Sequence, residues 1–276
     1  MASDLFDLTG HVALVTGGNS GIGLGMAEAL AAQGASVAIW GTNPVKNAAA
    51  AVALREVARP AGDPAILDPA ILDPAILDPA ILDLVCDVGD HDAVIAAYAA
   101  TVEALGHVDS CFVNAGVGGQ APSFAALSEE EWRRVMRVNL DGAFFTAQEA
   151  VKQMVAQGTG GSVVFTTSGS AKYGQQKGQH YGGSKGALIS MMKGIAVEHA
   201  RHGIRCNAIL PGWIESEMTA GAFGWDKFVD NVLPRVPMRR WGKPADFGGL
   251  AVYLASGASS YHTGDVLTVD GGYHSY

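Results

Sequence analysis

The sequence predicts an α/β protein built on a doubly wound parallel sheet of about seven strands, with helices on both faces. Three observations carry this. Short apolar runs alternate with longer helical stretches along the chain, the runs are apolar without clear alternation, and the first run ends in glycines that open a helix. Strand–helix alternation implies βαβ units. Unbroken apolar strands imply a sheet covered on both sides.

Taken in order, strands are expected at 12–15, 36–40, 82–86, 111–113, 162–167, 204–210 and 266–269, with helices at 22–33, 44–59, 90–105, 133–157 and 181–202. Pro44 suits a first helical turn, where its missing N–H costs nothing. No linker divides the chain, so residues 1–276 read as one domain. One segment breaks the pattern: within 63–82, Asp-Pro-Ala-Ile-Leu is repeated four times in tandem. A period of five fits neither helix nor strand, and Pro64, Pro69, Pro74 and Pro79 each remove a backbone donor. The repeat precedes a strand, so it is expected as a solvent-facing insertion at the amino edge of the sheet, away from any ligand. The alternative is an oligomer contact, because the Ile-Leu pairs, Ile81-Leu82 included, would otherwise lie bare.

Composition narrows the partners. With 49% hydrophobic and 16% charged residues, the chain can fold around a core. A formal net charge of -9 disfavours nucleic acid and anionic membranes. Cys86, Cys111 and Cys206 lie in or beside apolar runs, read as buried hydrophobes and form no metal or disulfide pattern. His199 and His202 share a helix but lack a third ligand, so no metal site is expected. The first residues carry acid where a secretion signal would carry base, and no apolar stretch is long enough to cross a bilayer. A cytoplasmic setting is expected.

The turn Thr16-Gly17-Gly18-Asn19-Ser20-Gly21-Ile22-Gly23 joins the first strand to the first helix. Gly17 allows a tight turn, Gly21 allows backbone to approach a pyrophosphate, and Gly23 allows close helix–sheet packing. The helix start then offers free N–H groups to phosphate. No Gly-Lys-Ser/Thr ending follows, which excludes a nucleotide triphosphatase loop.

This turn resembles the Thr-Gly-x-x-x-Gly-x-Gly motif of the short-chain dehydrogenase/reductases, a Rossmann-type family. Further matches follow in that family's order: Asp87-Val88, Asn114-Ala115-Gly116, Asn139, Ser168, Tyr181-Gly182-Gly183-Ser184-Lys185, Pro211-Gly212 and Asp270-Gly271-Gly272. The resemblance spans the chain except for the repeat, and is nearest to 3-ketoacyl reductase-like and glucose dehydrogenase-like members. It implies an NAD(P)-dependent oxidoreductase that interconverts a secondary alcohol and a ketone, with Asn139, Ser168, Tyr181 and Lys185 as the catalytic set. Tyr181 and Lys185 are four apart and share a helix face. An ammonium there favours the phenolate of a group whose free pKa is about 10. Ser168 would hold the substrate oxygen as charge develops, and Asn139 would support a water beside the lysine.

The resemblance also assigns the cofactor contacts: Gly17, Asn19, Ser20, Gly21, Ile22, Gly23, Thr42, Asn43, Asp87 at the adenine with Val88, Asn114, Ala115, Gly116, Tyr181, Lys185, Pro211, Gly212, and Ile214 with Ser216 at the nicotinamide carboxamide. After the second strand, Gly41-Thr42-Asn43 offers neither the acid that selects NAD nor the arginine that selects NADP, although Lys46 lies near. The reading leans to NAD, with dual use open. Gln120, Ser170, Tyr173, Trp213, Met218 and Phe223 are expected to line the substrate pocket. Their aromatic character, with that of Trp225 and Phe228, points to a hydrophobic or aromatic ketone or alcohol. His180 adjoins Tyr181 without a catalytic role. A homotetramer is the family's expectation. The alternatives are a 3-ketoacyl-thioester reductase, for which Arg133, Arg134 and Arg137 would form a docking patch, and a catalytically silent dinucleotide-binding sensor or scaffold.

Overall fold

The computed structural model describes residues 5–59 and 79–275. In chain order these form β1 (Val12–Thr16), α1 (Gly21–Ala32), β2 (Ser36–Gly41), α2 (Pro44–Val57), β3 (Ile81–Val85), α3 (His91–Leu105), β4 (Ser110–Val113), α4 (Glu129–Met136), a π-helical turn (Arg137–Asp141), α5 (Gly142–Gln157), β5 (Gly161–Thr166), α6 (Gln179–His199), β6 (Ile204–Pro211), α7 (Glu217–Phe223), α8 (Asp226–Val232), α9 (Gly248–Ala255) and β7 (Val266–Val269).

All seven strands run parallel in the order β3-β2-β1-β4-β5-β6-β7. The order reverses between β1 and β4, which opens a crevice above their carboxyl ends. Strand side chains divide between two cores. Leu14, Trp40, Cys111 and Phe165 pack on one face with Met154 and Leu188. Val15, Ile39, Phe112 and Val164 pack on the other with Met26, Leu30 and Phe247. Both faces are covered, which is why the strands lack alternation in sequence. Side-chain caps set several helix starts: Asn43 accepts from Val45 N and Lys46 N, Asp90 from Ala93 N, and Ser128 from Glu131 N.

Two expectations change. The helix expected over 133–157 begins earlier, at Glu129, and is interrupted by the π turn Arg137–Asp141. The turn contains Asn139, whose side chain is bound elsewhere, as described below. Of the repeat, residues 63–78 lie outside the described residues. Its last residues are not a bare apolar surface: Ile81 and Leu82 open β3, pair with Val37 and Ala38, and pack against the two cores. Ala80 N donates to Ser36 Oγ at 3.0 Å, fixing the entry to that strand.

Candidate functional site

The loops after β1 and β4 are tied together by Thr16 at the end of β1. Its Oγ1 accepts from Asn114 N at 2.9 Å and Ala115 N at 3.0 Å, while Asn114 Nδ2 donates to Thr16 O at 3.0 Å. Gly17 and Gly21 have φ of +64° and +53°, a region closed to most side chains. A Cβ on Gly23 would overlap Gly17 O, so only glycine lets α1 start so close to the turn. Ser20 precedes α1 without a side-chain capping bond, leaving the first N–H groups to a ligand. An uncapped helix start behind a glycine-rich turn fits a pyrophosphate, with Asn19, Ser20, Gly21 and Ile22 around it.

Beyond this turn, Gly41 is not a vacancy. A Cβ there would overlap Asn19 Nδ2. Asn19 donates to Asn47 Oδ1 at 2.7 Å, and the fully buried Asn47 donates to Gly41 O at 3.0 Å and Leu84 O at 2.9 Å. This amide bridge fills the space where a side chain at position 41 would project. Asn43 commits its side-chain oxygen to capping α2, leaving Thr42 exposed at the crevice edge. Lys46 Nζ reaches both carboxylate oxygens of Glu217, at 2.6 Å each. Asp87 accepts from Gly89 N and from Arg137 Nη1, both at 2.9 Å. Val88, beside it, packs against Gly142.

The second group of candidates stands at the carboxyl ends of β4 and β5 and on α6. Ser168 Oγ accepts from Ser170 N at 3.2 Å and Ser170 Oγ at 3.0 Å, so Ser170 orients Ser168. Lys185, one helical turn after Tyr181, places Nζ 6.0 Å from the Tyr181 ring centre and donates to Thr166 O at 2.9 Å. Thr167 Oγ1 donates to Lys185 O at 2.8 Å, fastening α6 to the end of β5. Burial pulls Lys185 down to about 8. Burial also raises Tyr181 above the ordinary phenol value, and its hydrogen bond with Ser168 draws it partly back. Asn139, with no exposed surface, accepts from Val117 N at 2.7 Å and donates to Val117 O at 2.9 Å and Ser184 Oγ at 3.3 Å. A Cβ on Gly116 would sit 3.2 Å from both Asn139 Oδ1 and Lys185 Nζ, which locates those two groups together.

The remaining wall follows β6. Gly212 packs against Asp270, and Ile214 is buried, bridged to Gly242. Ser216 and Thr219 form a reciprocal cap that starts α7. Met218 on α7 lies over Gly118, whose Cβ would be 3.5 Å from Met218 Cγ, so this segment closes on the loop after β4. Phe223 stacks on Trp241 with ring centres 4.3 Å apart, and Trp213 meets Phe228 edge-on at 4.9 Å.

A model described as enoyl-(acyl carrier protein) reductase matches residues 74–274, and one described as short chain dehydrogenase matches residues 11–65. Gluconate 5-dehydrogenase of Gluconobacter oxydans is 34% identical over 98% of this chain and 96% of its own. The chain belongs to the short-chain dehydrogenase/reductase family. L-rhamnose 1-dehydrogenase (NAD(P)(+)) of Azotobacter vinelandii is 35% identical, covering 94% of each chain. Among solved structures, a gluconate 5-dehydrogenase from Burkholderia cenocepacia in complex with NADP and tartrate superposes with a TM-score of 0.87, at 34% identity over 100% of both chains. This short-chain dehydrogenase/reductase is therefore an NAD(P)-dependent oxidoreductase acting between a secondary alcohol and a ketone. Among the described residues, no helix is long and apolar enough to cross a membrane.

In this short-chain dehydrogenase/reductase the arginines on and just after α4 are engaged with carboxylates. Arg133, Arg134 and Arg137 do not form an open docking patch, because they pair with Glu129, Glu131 and Asp87. Gln120 is held through its backbone, its N–H donating to Glu131 Oε1 at 2.7 Å. His180 is fully buried, bonded to that same carboxylate at 3.2 Å. Hydrogen bonding from Arg134 is the main reason Glu131 falls to about 2. Asn47, Glu131 and His274 were not singled out in sequence. An isolated Asn, Glu or His carries no spacing signal, and each also meets a residue distant in the chain: Asn19 for Asn47, His180 for Glu131 and Tyr173 for His274.

Proposed function

We propose that the chain interconverts a hydroxylated secondary alcohol and its ketone, with Tyr181 as general acid and base. The observation that carries this is the convergence of Ser168, Tyr181, Lys185 and Asn139 at the carboxyl edge of the sheet, facing the glycine turn. In oxidation the Tyr181 oxygen takes the alcohol proton, while Ser168 holds the same substrate oxygen. The Lys185 ammonium, aided by Asn139, stabilises the tyrosinate. A bound nicotinamide ring supplies the two-electron acceptor for the hydride leaving the carbinol carbon. In reduction Tyr181 returns the proton to the oxygen. The glycine turn, Asn114, Ala115 and the segment from Pro211 to Ser216 would position the cofactor.

The substrate class rests on the relatives, whose names specify gluconate and L-rhamnose, and on the aromatic rings near the pocket. Trp213, Phe223, Phe228 and Trp241 are engaged with one another, so their presence does not call for an aromatic substrate. A hydrophobic or aromatic substrate is the second reading, favoured by Met218 and Trp225, which stay exposed. The paired arginines weaken the 3-ketoacyl-thioester alternative, and the complete polar set weakens a silent scaffold. Use of both cofactors is proposed, with a lean to NAD because Lys46 is already paired.

A homotetramer in the cytoplasm is part of the same reading. Phe144 and Val155 on α5 and Val197 on α6 are exposed apolar residues suited to subunit contacts, and light scattering after size exclusion tests this. The activity is tested by offering polyols, sugar acids and simple ketones with each nicotinamide cofactor. Tyr181→Phe should lower turnover by about a thousandfold or more with cofactor affinity kept. Unchanged turnover in this variant would refute the assignment.

A further inference from the structure

We infer that His274, oriented by Asp270, is a substrate-binding residue that accepts a hydrogen bond from a hydroxyl on the carbon next to the reacting one. The inference rests on the hydroxylated-substrate reading and adds the residue that recognises it. Asp270 directly follows β7 and organises the tail behind it. Its Oδ1 accepts from Gly272 N at 2.8 Å, and its Oδ2 accepts from both His274 N and His274 Nδ1 at 2.8 Å. Only 6% of the Asp270 side chain is exposed. A carboxylate so placed fixes the proton on Nδ1 and leaves Nε2 with its lone pair outward.

The position of Nε2 gives the pair its role. A Cβ on Gly169 would overlap His274 Cε1 and Nε2, so this ring edge lies on Gly169, the residue directly after Ser168. Glycine is required for that approach. Tyr173 covers the ring from one side, with centres 4.5 Å apart and planes inclined by 4°, and its hydroxyl donates to His274 O at 3.2 Å. Among the described residues Nε2 has no hydrogen-bond partner, and 14% of the side chain is exposed. The acceptor nitrogen of His274 thus lies against Gly169, the residue next in the chain to the donor hydroxyl of Ser168. A substrate whose reacting oxygen lies on Ser168 and whose neighbouring carbon bears a hydroxyl satisfies both. A simple ketone leaves the imidazole without its bond, and an unsatisfied partner discriminates against the deoxy ligand.

The test is equilibrium binding, read independently of turnover. Tartrate and succinate, which differ by the vicinal hydroxyls, are titrated into the protein saturated with NADPH and followed by calorimetry or ligand-observed NMR. The wild-type protein should bind tartrate about tenfold more tightly than succinate. His274→Phe, which keeps the stack on Tyr173, should reduce that ratio to about threefold, the share left to the hydroxyl held by Ser168, with succinate and NADPH affinities unchanged. His274→Leu is read in its place if the first variant loses NADPH binding. A ratio preserved in the variants, or no tartrate preference in the wild-type protein, overturns the inference. Tartrate preference that depends on His274 in a protein that oxidises no alcohol would leave the subsite standing and remove the catalytic reading.

Discussion

Val117 and Asn139 hold each other at two points, with Val117 N–H donating to Asn139 Oδ1 and Asn139 Nδ2 donating to Val117 O. One side chain thereby satisfies both backbone groups of a residue in the loop after β4. The π turn Arg137–Asp141 carries Asn139 at this place in the long helix. The same turn carries Arg137 to Asp87, so the loops after β3 and β4 share a short support.

Replacing Asn139 by Ala removes both partners of Val117 in a buried setting. Unfolding free energy should fall by about 2–4 kcal/mol, the usual cost of leaving such groups unsatisfied. The loop beside Lys185 should also lose its position, lowering kcat/KM on the order of a hundredfold. Thermal unfolding and steady-state turnover, measured on the same preparation, check the two effects. A variant with wild-type stability would show that the clasp contributes little.

Lys185 gives a prediction with a pH signature. Burial lowers it from an ordinary 10.5 to about 8, so between these values the unfolded chain binds more protons than the folded one. Stability from this group therefore rises with pH across that window, and below about pH 8 the folded state bears the whole penalty. That penalty is at most about 3 kcal/mol, reduced by the bond to Thr166 O. Lys185→Met should unfold at a higher temperature than wild type at pH 7, with the gap closing between pH 8 and pH 10.5. A gap that does not change with pH would contradict this sign.

The sheet was legible because its information is local. Strands buried on both faces are apolar without alternation, as in Val12–Thr16 and Ser110–Val113, and the glycines of the first turn are spaced for one geometry. The pairing of Tyr181 with Lys185 was legible because four residues on a helix is itself a distance. The interruption at Asn139 was not, since Arg137–Asp141 carries no glycine or proline to mark a break in the helix. The Lys46–Glu217 and His274–Gly169 contacts join segments far apart in sequence, and nothing in either member announces the other. Gly41 shows the cost of reading one residue alone: in sequence it is an absent acid, whereas in the fold it is room for Asn19 and Asn47.

That room yields a prediction opposite to the simple expectation that an acid at position 41 confers NAD selectivity. Gly41→Asp would drive Cβ into Asn19 and break its bond to the buried Asn47, which also holds the backbone of Gly41 and Leu84. Affinity for NADH and NADPH should both fall, together with a stability loss of about 1–3 kcal/mol. Nicotinamide fluorescence titrations with the two cofactors provide the check. Tighter NADH binding in this variant would mean that the amide bridge yields without cost.

Lys46 and Glu217 link the start of α2 to the start of α7, and their charges offset one another near Thr42, in the segment read as facing the cofactor's adenosine ribose. While the pair is closed, Lys46 offers little net attraction to a 2′-phosphate on that ribose. Glu217→Gln should release the ammonium and remove a nearby negative charge, tightening NADPH by about fivefold while NADH stays within about twofold. Because the pair is exposed, the gain should shrink as salt is raised. Lys46→Ala in the Glu217→Gln background should abolish the gain. Equal tightening of both cofactors would place the effect on the whole crevice field, and no change at all would mean that Lys46 does not reach the phosphate.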